Sequence, residues 1–525
     1  MDWRRQMHDA NLLDTRLIPV ERKTGSTDIL TLPEVLEALS HDEIESFVDL
    51  KAHQNAAVDM FFAHLGVLGV DIGADEKGII ASAEVWRERM VKIAPMECWQ
   101  LWSPDTTVSC FMQPGMDQEE FQKTVENKGR IYSPDEIGVL IVSKNHTVKF
   151  SAMAAPSAWN WVASLIEAQT LSGFDGRSLY GIPRMNGGLS TRFRVATYTD
   201  MSASGKWNSD VRKILDMLPE LYREFPHFSE DGLHIGAAWA SFWDGSEQIP
   251  TMNLHPLYVD VCRRIKLGLD GNGRMFAVTA GSSNTRVPHL DLKGVFGDPW
   301  APLTNANYKE NARKEISEAL TSLSPSAIPV RLLSNIVTGS EGVRQSMLQK
   351  FAKGDLGKPA FFCLSAILRG QGETYGYHDF VIPIPAHAVF RLSNKVELDA
   401  LGVRSRAMLS QASAADAALK FGVYRFCQPE KAEVDFVNSA KSEAMFAKAS
   451  KQLRLAFSGA FFEHLWRSDD EDGWIEFLKT EARVILEKVF ESGGARSQLS
   501  FKAEAEGRSA FNARWRKLFT MEDSK

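Results

Sequence analysis

Cysteine is scarce and widely scattered: five in 525 residues, at Cys98, Cys110, Cys262, Cys363 and Cys427. The number is odd, no two form a C-x-x-C pair, and none joins a Cys/His cluster at metal-ligand spacing. Reduced thiols, no structural zinc and no cofactor are the expectation. Long apolar runs are also missing, since none reaches the roughly 18 to 20 residues that span a bilayer. A membrane partner is not expected. The opening stretch MDWRRQMHDANLLDTRLIPV lacks the apolar core of a signal peptide, so a cytoplasmic location is the default. Positive charge is not in excess either: the formal net charge is −7, so any affinity for nucleic acid must come from local patches. No G-x-S-x-G elbow, H-E-x-x-H helix, HNH-like cluster or paired-carboxylate motif is present, which argues against an enzyme.

A large core is available, with 44% hydrophobic residues, thirteen tryptophans and thirty phenylalanines. By length the chain holds about three domain-sized units. NLLDTRLIPVERKTGSTDILTL reads as two short strands around the turn Lys23, Thr24, Gly25. Pro33 then suits the first turn of a helix carrying Val35, Leu36 and Leu39, and HQNAAVDMFFAHLGVLGV is a second, strongly apolar helix. Val139 to Val142 reads as a buried strand. APSAWNWVASLIEAQTLSG predicts a helix with Pro156 at its start, ending at Gly173, and STRFRVATYT, which alternates Phe193, Val195 and Tyr198 with polar neighbours, predicts a half-buried strand.

Between that helix and that strand lies GFDGRSLYGIPRMNGGLSTR, with five glycines and three arginines in residues 173–192. Counting on to Arg194, four arginines (Arg177, Arg184, Arg192, Arg194) stand against Asp175, a basic patch in an acidic chain. Gly173 could simply be the left-handed end of the helix and Gly187–Gly188 a plain turn. Alternatively the glycines allow close approach of the backbone to a phosphate or a groove while the arginines neutralise phosphates. A nucleotide cradle fits poorly, because a P-loop needs G-x-x-x-x-G-K-[ST] and a dinucleotide site has its glycines after a strand. An extended nucleic-acid backbone fits better.

Other stretches carry weaker signals. SKNHTVKF offers Lys144, Asn145, His146 and Lys149 as phosphate or base contacts, or as an ordinary polar loop. LRGQGETYG places Gln371 between Gly370 and Gly372, and GSSNTRVPH presents Arg286 from small residues. CRRIKL puts Arg263 and Arg264 on opposite faces of a strand, where they meet nucleic acid or end in salt bridges. The acidic run Asp469 to Asp472 suits a helix N-terminus better than a metal. After Leu392 glycine and proline thin out, and four helices are read over Lys395–Phe421, Val434–Trp466, Glu471–Phe490 and Ser500–Phe519. The expected fold is α+β, with a mixed domain over 1–392 and a four-helix bundle over 393–525.

The NLLDTRLIPV hairpin, the helix AAPSAWNWVASLIEAQTLSG running into the glycine loop, and the helical C-terminus together resemble the large subunit of the type I-E CRISPR surveillance complex Cascade, the CasA family. The resemblance spans nearly the whole chain and implies a non-catalytic subunit. Such a subunit binds at the 5′ end of the guide RNA and reads the protospacer-adjacent motif (PAM) of double-stranded DNA from the minor groove. It then starts strand separation and recruits the helicase-nuclease, beside the backbone, small and 5′-handle subunits. By position the family's glycine loop falls on Gly173, Phe174, Asp175 and Gly176, its basic finger near Arg286, and its glutamine wedge on Gln371 beside Gly370, or on Gly372 after a one-residue slip. Asp175 departs from the glycine-rich pattern and needs a donor such as guanine N2 if it faces DNA. Lys144, Asn145, His146 and Lys149 correspond to the region that meets the guide-RNA handle. Arg177, Arg184 and Arg192 form the loop's basic flank, read as contacts to RNA or DNA phosphates or to neighbouring carboxylates. Some relatives carry a zinc knuckle where this chain has GLDGNGRM, so no zinc is implied. The rival readings are a nucleotide-dependent enzyme or nuclease using the glycine loop, and the large subunit of another CRISPR subtype.

Overall fold

The structure, a computed structural model, describes residues 10–73, 78–140, 156–185, 192–288, 292, 294–304, 329–370, 373–437, 439–467, 471–492 and 498–519. The chain forms two compact units, Met1–Ile328 with Glu341–Val389, and Pro329–Ser340 with Phe390–Lys525.

The first unit opens with the hairpin, β1 (Ile18–Arg22) pairing antiparallel with β2 (Thr27–Leu30) around Gly25 at φ +84°. Helix α1 (Leu32–Ser40) has Pro33 in its first turn. Its capping box has the Thr31 hydroxyl accepting from the Glu34 amide and the Glu34 carboxylate accepting from the Thr31 amide. Strand β3 (Ile44–Phe47) joins the other edge of β1. Helix α2 (Ala52–Asp71) carries apolar residues around its whole circumference and is largely buried, packing on later helices and strands. Its glycines admit tryptophans: a Cβ on Gly66 would lie 2.7 Å from Trp207, and one on Gly69 2.6 Å from Trp86.

Helices α3 (Ala83–Ile93), α4 (Gln118–Lys128) and α5 (Ala158–Thr170) follow. Every residue of α5 is buried, and Ser157 caps it by accepting from the Asn160 amide. Then come β4 (Arg194–Tyr198), α6 (Ala203–Glu224), β5 (Ile235–Ala237), β6 (Leu254–Val259), β7 (Arg264–Leu269), β8 (Met275–Ala280) and β9 (Leu303–Thr304). Helix α7 (Val330–Thr338) belongs to the second unit. The first unit resumes with β10 (Val343–Arg344), β11 (Ala360–Gly370) and β12 (Glu373–Ile384), which make the sheet β12-β11-β4 with antiparallel neighbours. A shared core holds Trp86, Trp99, Trp159, Trp161, Trp207, Trp239 and Trp300, and each large apolar side chain so buried contributes about 1.5–3 kcal/mol.

Helix α8 (Ala386–Ser393) runs through the junction at Val389 and Phe390. The second unit continues with α9 (Lys395–Cys427), α10 (Ala440–Trp466), α11 (Glu471–Ser492) and α12 (Gln498–Phe519), with α9 against the other three. Glycine lets α9 and α12 meet closely, since a Cβ on Gly507 would lie 3.1 Å from the Gly422 carbonyl oxygen. Helix α7 packs on α9, where the Ser334 and Ser405 hydroxyls hydrogen-bond.

Two readings of local structure need correction. Val139 and Leu140 lie in a turn rather than opening a strand, because the Val139 amide donates to the buried Glu167 carboxylate (2.8 Å) instead of a neighbouring chain. Residues 141–142 lie outside the described residues. Strand β4 does not alternate between core and solvent: all five of its residues are buried.

Candidate nucleic-acid interface

Helix α5 stops at Thr170, and its cap Leu171 keeps a right-handed conformation. The positive φ angles of the following loop fall on Gly176 (+110°) and Ser178 (+71°). The loop is closed on itself. The Asp175 amide donates to the Leu179 carbonyl (3.0 Å), the Leu179 amide to Gly176 (3.1 Å), and the Ile182 amide to Ser172 (3.0 Å). Gly181 makes the closure possible: a Cβ there would sit 2.7 Å from the Gly173 carbonyl carbon and 2.8 Å from the Phe174 nitrogen. Three amides are thus committed internally, which removes them from any backbone cradle for a nucleotide phosphate.

The loop presents a mixed tip. Gly173 is buried, Gly176 is partly covered, and Phe174, Asp175 and Arg177 are exposed. Phe174 is 42% exposed, with its ring 6.4 Å from that of Tyr180. An apolar ring left in water beside an arginine has the chemistry to stack on a base or wedge between base steps while a phosphate is neutralised.

The stretch that contains Arg286 lies against this loop. The Ser282 amide donates to the Ser178 carbonyl (3.0 Å), and the Tyr180 hydroxyl donates to the Ser283 carbonyl (3.2 Å). Gly281 permits the approach, since its Cβ would fall 2.8 Å from Ser178 Cβ. Two segments about a hundred residues apart, 173–181 and 281–284, thereby form one surface.

Several of the expected phosphate contacts are not on that surface. Arg184 has no exposure; it forms a buried ion pair with Asp260, donates to the Pro256 carbonyl (2.9 Å), and its guanidinium lies 4.5 Å from the Tyr258 ring centre. Burial works against its charge, but Asp260, Tyr258 and Asp298 together outweigh it and its pKa is raised. Arg192 is 2% exposed and donates twice to Asp298 (2.7 and 3.0 Å) and once to His64 Nε2 (3.1 Å). His64 Nδ1–H in turn donates to the Leu257 carbonyl (2.6 Å), and burial, followed by Arg192 and Arg184, holds the imidazole neutral well below its usual pKa. Arg194 pairs with Asp59 (2.8 Å), which also takes Lys206. These three arginines are internal struts. The reason is electrostatic: each folds back onto an aspartate of its own chain. Arg177 is the exposed arginine of the 173–192 stretch among the described residues.

Arg286 is likewise turned inward rather than extended as a finger. It is 4% exposed, its Nη2 donates to Ser241 Oγ (2.5 Å), and its guanidinium lies 5.5 Å from the Trp243 ring centre. Burial pushes its pKa down to about 10, with Glu247 and Asp244 opposing, so it stays a cation at neutral pH. Gly370 ends β11 opposite Glu373. Gln371 and Gly372 lie outside the described residues, as do Lys144, Asn145, His146, Lys149, Gly187, Gly188, Asp469 and Asp470. Helix α11 begins at Glu471.

Of the two outcomes open to Arg263 and Arg264, nucleic-acid contact or salt bridges, Arg264 takes the second with Glu120, and both residues also hold the two segments. Arg263 donates to the carbonyls of Tyr180 and Gly173 (2.7 Å to the latter). Arg264 donates to the Gly281 carbonyl (3.0 Å) and the Trp243 carbonyl (3.1 Å) and makes a two-pronged ion pair with Glu120. The doubled arginine at a strand start was the available signal; its acceptors, being mainly backbone carbonyls, leave no mark in a sequence. Among the described residues no group of three or more His, Cys, Asp or Glu side chains is placed to hold a metal ion, and no helix is long and apolar enough to cross a membrane.

No family model and no curated protein matches the chain. Solved structures do. CRISPR-associated protein Cse1 from Acidimicrobium ferrooxidans matches at 12% identity and TM-score 0.64, covering 97% of this chain and 98% of its own. Thermus thermophilus CasA (Cse1) matches at 14% identity and TM-score 0.57, covering 97% and 100%. A chain of a CRISPR RNA-guided surveillance complex matches at 10% identity and TM-score 0.51, covering 96% and 99%. The chain therefore has the fold of the Cse1/CasA proteins over nearly its whole length.

Proposed function

We propose that this chain is the large subunit of a CRISPR RNA-guided surveillance complex, and that it recognises the PAM in double-stranded target DNA without catalysing a reaction. The observation that carries the reading is the closed loop at 173–182, which projects Phe174 and Arg177 beside the 281–284 segment in a protein with the Cse1/CasA fold. Guide RNA pairing supplies most sequence information in such complexes, so the protein has only to test a short motif and open the first base pair. The minor groove is narrow and its donor and acceptor pattern degenerate, which favours a slim backbone turn with one apolar ring over a thick helix. In this reading Gln371, which follows Gly370 in the sequence, supports the opened pair, and Lys144, Asn145, His146 and Lys149 contact the guide-RNA handle. The other subunits and a helicase-nuclease are the protein partners.

The test compares two substrates. In a complex reconstituted with guide RNA, Phe174→Ala and Arg177→Gln should each weaken binding of PAM-containing duplex by about 1–3 kcal/mol and change binding to a pre-opened target strand less. Equal losses on both substrates in a gel-shift assay would sink the assignment.

A further inference from the structure

We propose that Arg263 and Arg264 act as a two-sided clamp that sets the distance and angle between the glycine loop and the 281–284 segment, so that the two form a single recognition surface. Neither residue need touch DNA, and both are positioning residues; the inference rests on the reading that this surface meets duplex DNA. Arg264 opens β7 and Arg263 sits in the bend just before it, so the adjacent arginines reach two different segments from one origin. Arg263 takes the Gly173 and Tyr180 carbonyls, one on each leg of the glycine loop. Arg264 takes the Gly281 carbonyl, one residue before the amide that binds Ser178.

The origin is itself fixed. The amides of Cys262 and Arg263 donate to Gln169 Oε1 (3.0 and 2.8 Å), while Gln169 Nε2 donates to the carbonyls of Arg263 (2.9 Å) and Met112 (2.8 Å). Gln169 is fully buried in α5, the helix that leads into the loop, so loop and clamp share one anchor. A guanidinium suits the task because its rigid planar fork serves two carbonyls at once, whereas an ammonium is a point donor on a flexible stem. Charge-assisted bonds of this kind resist local opening more than neutral ones do.

Arg263→Lys keeps the charge and loses the fork, which makes it the test variant. In the full chain, hydrogen exchange of the Asp175, Leu179 and Ile182 amides should quicken about tenfold, the effect of losing one charge-assisted hydrogen bond. Exchange along the β7–β8 ladder and the thermal midpoint should stay near wild type, which separates loop release from general unfolding. In the reconstituted complex the same variant should lower affinity for PAM duplex severalfold and leave the pre-opened strand little changed. Arg264→Lys should loosen the Ser282 amide instead. Unchanged loop exchange in Arg263→Lys overturns the clamp. Quickened exchange with unaltered duplex binding also overturns it as a device for recognition, provided Phe174→Ala does weaken the duplex. If Phe174→Ala has no effect on duplex either, the DNA reading of the surface has failed, and loop exchange alone decides whether Arg263 holds the loop.

Discussion

Arg192→Gln distinguishes an internal strut from a phosphate contact by measurements that move in opposite directions. In the folded chain the Arg192 guanidinium makes two hydrogen bonds to Asp298, a third to His64 Nε2, and lies 5.2 Å from the Trp300 ring centre, with the side chains of Arg192 and Asp298 1% and 0% exposed. Glutamine removes the charge and the fork while the Asp298 carboxylate stays behind in a site closed to water. Breaking a buried pair from one side costs about 3–5 kcal/mol, mostly the penalty of the stranded charge. Urea unfolding read by tryptophan fluorescence measures this unit chiefly, because ten of the thirteen tryptophans precede Phe390. The expected result is a lower midpoint at similar slope, and substantial recovery in the double variant with Asp298→Asn, since the double variant leaves no unpaired charge. A phosphate contact behaves otherwise. Stability would shift by no more than about 0.5 kcal/mol, and the slope of log affinity against log salt would fall by about one. That second pattern would refute the strut.

Acid should weaken the fold. Burial, followed by Arg184, holds the His227 imidazole down to about 4 from its usual 6.5, so the unfolded chain binds the proton more readily, and stability should fall as pH drops from about 6.5 towards 4. The slope is at most about 1.4 kcal/mol per pH unit for one proton. His227→Phe, which keeps a ring against Phe228 and Phe296, should flatten that part of the profile in urea titrations at several pH values. The Asp210 carboxyl, pushed up to about 6 by burial against the pull of Arg194, has the opposite sign: its contribution is full below about 3.8 and lost as pH rises towards 6. Asp210→Asn should therefore steepen the acid loss. In the bundle, Gly507→Ala places a methyl 2.9 Å from the Phe490 ring and 3.1 Å from the Gly422 carbonyl oxygen. Its overpacking cost of about 1–3 kcal/mol should exceed the roughly 1 kcal/mol gained in helix propensity, and a lowered thermal midpoint would show it.

Periodicity made the helices and the first hairpin legible because apolar spacing states which face must leave water. The extent of α2 and α5 follows from their long apolar patterns, and Pro33 marks the first turn of α1. The arginines were opaque for a physical reason. Whether a guanidinium meets a phosphate or a carboxylate depends on which aspartate the fold brings to it, and the partners of Arg184 and Arg192 lie 76 and 106 residues away. Local charge density cannot tell an outward cation from one neutralised at long range. The clamp was hidden for a related reason, since its acceptors on the loops are peptide carbonyls that every residue possesses. The meeting of 173–181 with 281–284 depends on Ser178 and Tyr180, whose sequence neighbours mark nothing beyond a turn.

In the proposed reading, this redistribution of charge changes how the loop would meet DNA. Four arginines meeting phosphates would release about four counterions and make loop binding steeply salt-dependent. With Arg184, Arg192 and Arg194 paired inside, the loop keeps Arg177, and its share of the salt slope falls to about one. In the proposed reading, weak phosphate attraction would leave discrimination to shape: a thin closed turn and one exposed aromatic ring. If the surface meets duplex DNA as proposed, it should sample non-matching DNA rapidly, because little of its affinity would be sequence-independent. Its contribution should grow once the ring and the turn fit the groove, and then only while Arg263 and Arg264 keep both segments in register.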